Sequence, residues 1–150
     1  MQLDEIKYNL KNSISLVEAR RHRLVILIAK DDITNQVLNC LELKDINLNL
    51  LLSEKLLNVP VNKRSRAVGP LIDDIIKTNA LEVLAITGYE LLFLPELKQD
   101  PIRLFEELSK ERTIVVIWKG QYDNGILTHA EPWHREYREY SNIDAEIIHT

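Results

Sequence analysis

Three short, almost wholly apolar runs recur along this chain, and they restrict its fold more than any other feature. Residues 24–29 read Leu24-Val25-Ile26-Leu27-Ile28-Ala29, residues 81–86 read Leu81-Glu82-Val83-Leu84-Ala85-Ile86, and residues 113–118 read Thr113-Ile114-Val115-Val116-Ile117-Trp118. Runs this short fall far below the roughly 20 apolar residues of a membrane span. Their β-branched content reads instead as strands buried on both faces. Strands of that kind belong to a parallel sheet, and the segments between them must supply the crossovers.

Those segments carry helical periodicity. Leu3, Ile6, Leu10, Ile14 and Val17 form one apolar stripe over residues 3–18, and the cations Arg20, Arg21, His22 and Arg23 that follow suit a helix C-terminus. Further helices are expected over residues 33–43, 50–57 and 70–77, the last with Pro70 in its first turn and Leu71, Ile72, Ile75 and Ile76 facing inward. Asp100-Pro101 opens another as an N-cap and proline pair, lined by Ile102, Phe105 and Leu108. Ile46-Asn47-Leu48-Asn49-Leu50 alternates and fits a strand nearer a sheet edge. Asp123-Asn124-Gly125 marks a tight turn, which predicts a C-terminal hairpin between residues 114–118 and 126–128. Pro132, Trp133, His134, Tyr137 and Tyr140 predict a tail over residues 131–150 that packs on the surface by its aromatics.

The alternation predicts one domain over residues 1–150. It is a three-layer α/β sandwich with helices on both faces of a mostly parallel sheet, an N-terminal helix within residues 1–22, and the C-terminal hairpin and tail. Chemistry in such sheets sits at the C-terminal ends of the strands. The net charge of −4 provides no global field to draw in a polyanion. Cys40 is the only cysteine, so no disulfide forms within one subunit and a reducing compartment is expected. It falls in an apolar helix-like stretch, where a cysteine is expected to be buried and inert. Charged residues interrupt the first 23 positions and leave no signal-peptide core, so the expected location is cytoplasmic, away from membrane.

This layout is that of a P-loop nucleotidase, in which the first buried strand runs into G-x-x-x-x-G-K-[ST] to hold phosphates and Mg²⁺. The corresponding stretch is Ala29-Lys30-Asp31-Asp32-Ile33-Thr34-Asn35-Gln36. Ala29 and Thr34 stand at the glycine positions, Asn35 at the lysine and Gln36 at the hydroxyl residue. Asp31 and Asp32 add negative charge where a triphosphate would sit. Lys30 precedes the helix and reads as a solvated partner for one of them. The strand over residues 81–86 ends in Thr87-Gly88 where an acidic residue is needed to hold Mg²⁺, and Glu90 comes three residues later. No catalytic residue is therefore expected, and neither ATP nor Mg²⁺ as a cofactor.

His129, Glu131 and His134 are assigned to packing or surface roles rather than to metal, since spacing alone is poor evidence for a site. Arg20, Arg21 and Arg23, together with Lys63, Arg64 and Arg66, are the candidate contacts to DNA phosphates.

Several segments resemble one family. They are residues 20–27, Glu90-Leu91-Leu92-Phe93, Leu97-Lys98-Gln99-Asp100-Pro101-Ile102-Arg103-Leu104, residues 112–118, residues 127–132 and Tyr137-Arg138-Glu139-Tyr140. Over roughly residues 18–140 the chain resembles the BrxF family, the small P-loop proteins of type III BREX phage-defence systems. The resemblance implies a component of a multi-protein bacterial defence, with other BREX proteins or a second copy as partners. The changes at Ala29, Thr34, Asn35, Gln36 and Thr87 mean that nucleotide binding is not carried over. The expected role is a non-catalytic subunit, with an atypical nucleotide-binding module or a DNA-contacting adaptor as the alternatives.

Overall fold

A computed structural model describes residues 2–150 as an α/β domain with helices on both faces of a five-stranded parallel sheet. Helix α1 (Leu3–Val17) leads to β1 (Leu24–Ile28), α2 (Asp31–Cys40), β2 (Asp45–Asn47), α3 (Leu48–Leu56), α4 (Arg64–Lys77) and β3 (Val83–Thr87). Then come α5 (Pro101–Leu108), β4 (Thr113–Ile117), β5 (Gln121–Asp123), β6 (Ile126–His129), β7 (Arg138–Tyr140) and β8 (Glu146–His149).

The main sheet runs in the order β2-β3-β4-β1-β8, every pair parallel, and β5-β6-β7 form a separate antiparallel sheet. The expected buried strands occupy its centre, where β4 is buried at every position. Each strand packs apolar side chains on both faces, which is why the runs show no alternation. Helices α1 and α2 cover one face through Ile6, Leu10, Val17, Val37 and Leu38. Helices α3, α4 and α5 cover the other through residues such as Leu52, Ile72 and Phe105, and Leu127 of β6 belongs to that same core.

Local chemistry explains the boundaries. Asp100 caps α5 by accepting from the Arg103 amide, with Pro101 at the first helical position, as the sequence indicated. Asn47 ends β2 and caps α3 by accepting from the Leu50 amide at 3.2 Å. That cap cuts the alternating run short: only Asp45–Asn47 is strand, at the sheet edge beside β3, and Leu48 already begins a helix. Pro70 lies inside α4 rather than in its first turn, because the helix starts six residues earlier at Arg64.

Two C-terminal expectations are corrected. The turn at Asn124-Gly125 joins β5 to β6, not β4 to β6, because β4 is held between β1 and β3 in the main sheet. The tail supplies strands as well as an aromatic contact: β7 extends the small sheet and sets Tyr140 edge-on to Trp118 at 6.4 Å, and β8 becomes the fifth strand of the large sheet, while Trp133 is 83% exposed. Cys40 is also exposed, at the last position of α2, rather than buried.

Candidate functional site

Strands β1 and β4 are neighbours whose continuations leave on opposite faces of the sheet. The chain after β1 enters α2, which packs with α1, whereas the chain after β4 enters the small sheet on the α3–α5 side. In open α/β sheets ligands bind at such a divergence, outside the strands' C-terminal ends.

Helix α2 begins at this point, with Lys30 as its N-cap residue and Asp31 and Asp32 in its first turn. Carboxylates there are stabilised by the helix dipole, so this turn holds its own negative charge and has less to offer an anionic ligand. Lys119, just past the end of β4, reaches across and donates from Nζ to Asp31 Oδ1. The partner of Asp31 is thus Lys119 rather than Lys30, which is exposed and makes no side-chain cap.

The other positions compared with a P-loop in the sequence lie just after β1, at Ala29, and along α2. Ala29 packs against the core beneath α1, Asn35 and Gln36 are exposed along the helix, and Thr34 is buried with its Oγ1 lacking a partner. Thr87 ends β3, its hydroxyl 3.4 Å from the Ile46 carbonyl. Glu90 accepts from Asn49 Nδ2 at 2.6 Å, and Asn49 Oδ1 accepts from the Leu91 amide at 2.8 Å. Glu90 therefore ties the start of α3 to the segment after β3. Gly88 permits this closeness: its φ is +53°, and a Cβ there would stand 2.2 Å from Asn47 Oδ1. The β1 loop and the β3 end are separated by β4, and Lys119 bridges from β4 to the β1 side only.

Beneath Lys119 lies an aromatic cluster. Tyr89 is fully buried, stacks on Trp118 at 5.4 Å and accepts a hydrogen bond from the Lys119 amide at 2.7 Å. Burial holds its phenol far above the ordinary range, so it stays neutral. Trp118 Nε1 donates to the Thr128 carbonyl at 2.9 Å, and His129 stacks on Phe93 at 3.7 Å. These contacts fix the backbone from which Lys119 projects. Sequence reasoning gave no role to Lys119, Tyr89 or Asn49. A cation directly after the central buried strand was the available signal for Lys119.

His129 Nδ1 is buried without a partner, and desolvation pulls the imidazole pKa below its ordinary value despite the opposing fields of Glu136 and Glu90. His134 acts in the same direction as burial. Because the unfolded chain takes up the proton first, stability is full above about pH 6.5 and declines as pH falls below it. Melting curves from pH 7.5 to 5 should therefore show a falling Tm, and His129→Phe should flatten that slope. An unchanged slope in the variant would assign it to other groups.

The basic clusters do not form one patch. Arg20 pairs with Glu146 at 2.9 Å and Arg23 donates to the Lys110 carbonyl at 2.8 Å, beside the N-terminal end of β1, with Arg21 between them. Lys63, Arg64 and Arg66 lie around the start of α4, at the opposite end of the sheet, and Arg64 Nε donates to the Val59 carbonyl at 3.0 Å. Of the three residues noted for metal, His129 is buried on Phe93, while Glu131 and His134 are exposed. No family model, curated protein or solved structure matches this chain.

Proposed function

We propose that this chain is a non-catalytic, P-loop-like subunit of a bacterial phage-defence system of the BREX type, acting through contacts with other proteins of that system or with itself. The parallel sheet with helices on both of its faces supports the P-loop-like reading. The observation that carries the loss of catalysis is the Lys119–Asp31 pair. The cation nearest the start of α2 is paired with a carboxylate of that helix's first turn, and Glu90, the first acidic side chain after β3, is held by Asn49. A phosphoryl-transfer site requires an unspent cation facing phosphate and a carboxylate facing Mg²⁺.

Calorimetric titration of the protein with ATP and Mg²⁺, paired with thermal melts, tests this. The expected result is no saturable heat and no shift in Tm, since a ligand present at 100 times its Kd would add about 2.7 kcal/mol of stability. Saturable binding would favour the atypical nucleotide-binding reading, whose specific support is that Lys119 supplies a cation at the loop from a neighbouring strand. In that case Lys119→Ala should abolish the heat. Capture of the tagged chain from cells expressing the whole defence system should recover other proteins of that system, and failure to do so removes the defence assignment.

A further inference from the structure

The last strand leaves one edge of the large sheet open in a self-complementary way. Strand β8 pairs with β1 alone, and among the described residues no strand lies on its other side. The Thr150 amide donates to the Ile28 carbonyl, which fixes the alternation: the peptide groups of Glu146 and Ile148 also turn toward β1. Those of Ile147 and His149 turn outward. The edge thus offers two N–H and two C=O groups, separated by one residue.

A two-fold axis through Ile148 matches this set with its own copy. In an antiparallel pairing about that axis, Ile147 faces His149 of the second copy and exchanges both bonds with it, and the symmetric pair does the same. An axis through Ile147 would instead oppose His149 to Ala145, whose amide is already bonded to the Ile143 carbonyl. The charges are compatible with the first register. Glu146, paired with Arg20, opposes Thr150, whose side chain is uncharged.

The flanks of the edge fit a neighbour as well. On one side a groove of about 270 Å³ runs between β8 and Asn9, Asn12 and Ser13 of α1. Tyr8 and Leu16 continue that helix flank and are 71% and 49% exposed. On the other side a cavity of about 420 Å³ is lined by Tyr122 and Gly125 of the small sheet's hairpin, next to the exposed Ile126. Large apolar side chains bordering an unpaired strand edge are what soluble proteins ordinarily avoid.

The geometry points to a symmetric homodimer joined through β8, which continues the five-stranded sheet across the two-fold axis into a second copy and brings the two α1 helices together. It rests on the reading of this chain as an assembling subunit and names one partner for it.

Sedimentation of the 150-residue chain over a concentration series tests the proposal, together with Ile147→Pro. Proline at 147 removes an outward N–H and leaves every bond to β1 in place, so the fold should persist while the dimer's Kd rises at least about 100-fold. Ile148→Pro removes a bond to β1 and should instead destabilise the monomer. In a Cys40→Ser background, Ile148→Cys should form an intermolecular disulfide, because directly opposed residues of a non-hydrogen-bonded pair lie about 4.5 Å apart, within disulfide reach. This last variant decides the matter if Ile147→Pro fails to fold.

A wild-type chain that stays monomeric at about 100 μM overturns the proposal, as does a dimer whose Kd Ile147→Pro leaves unchanged. A monomer that still captures proteins of its defence system would remove the dimer alone. A dimer that captures none would remove the defence assignment and keep the edge.

Discussion

Replacing Gly120 by alanine is expected to cost about 4 kcal/mol of stability, among the largest effects available to a single methyl group in this protein. A Cβ at this position would stand 1.7 Å from the Thr128 carbonyl oxygen and 2.6 Å from Trp118 Nε1. Both are partners in the hydrogen bond that pins the small sheet to the end of β4. The obstacle is backbone held in a ladder with Gln121, so relief requires the β5–β6 hairpin to move away from β4. For a chain of this length the cost corresponds to a fall in Tm of about 12 °C.

Urea and thermal melts check it, with Gly69→Ala as the control. A Cβ at Gly69 meets nothing within 4 Å inside α4, and alanine in a helix interior should stabilise by about 0.5 kcal/mol. A loss below about 1 kcal/mol at Gly120 would mean that the hairpin is not fixed to Trp118 in the way described.

Legibility in the sequence followed the reach of each signal. Buried strands β1, β3 and β4 announce themselves because every residue of a doubly covered strand is selected for the same property. Helix starts at Asp100-Pro101 were equally plain, since capping is local chemistry. Strand β8 was not readable. Its four residues, Glu146, Ile147, Ile148 and His149, mix polar and apolar types, because an edge strand meets solvent along one side. Its place beside β1 depends on pairing with residues more than a hundred positions away. Cys40 was misjudged for a related reason. Valine and leucine precede it, yet helical phase turns position 40 outward while Val37 and Leu38 face the core.

The candidate site divides along the same line. The substitutions in the β1 loop could be read one by one, and they already argued against phosphate binding. The contact that meets those positions could not, because Lys119 and Asp31 are 88 positions apart and meet only through the β1–β4 register. Asn49 and Glu90 likewise meet through the β2–β3 pairing. A change of chemistry at the end of a strand becomes interpretable only when its neighbours across the sheet are known.

Trp118→Ala should be as damaging as the change at Gly120, at about 4 kcal/mol, but for a different reason. Trp118 is 2% exposed and joins three groups at once: it stacks on Tyr89, meets Phe93 edge-on at 5.8 Å and donates to the Thr128 carbonyl. Truncation leaves a cavity between the two sheets and an acceptor without its donor. Trp118→Phe separates these contributions. It keeps most of the packing and loses the hydrogen bond, so the expected cost falls to about 2 kcal/mol. If alanine and phenylalanine cost the same in urea melts, the bond to Thr128 dominates and the aromatic cluster adds little. If phenylalanine is nearly neutral, stacking alone holds the small sheet in place. The intermediate result is expected, because the indole sits where the continuation of β4 must pass both Tyr89 and the β6 backbone before Lys119 can reach Asp31.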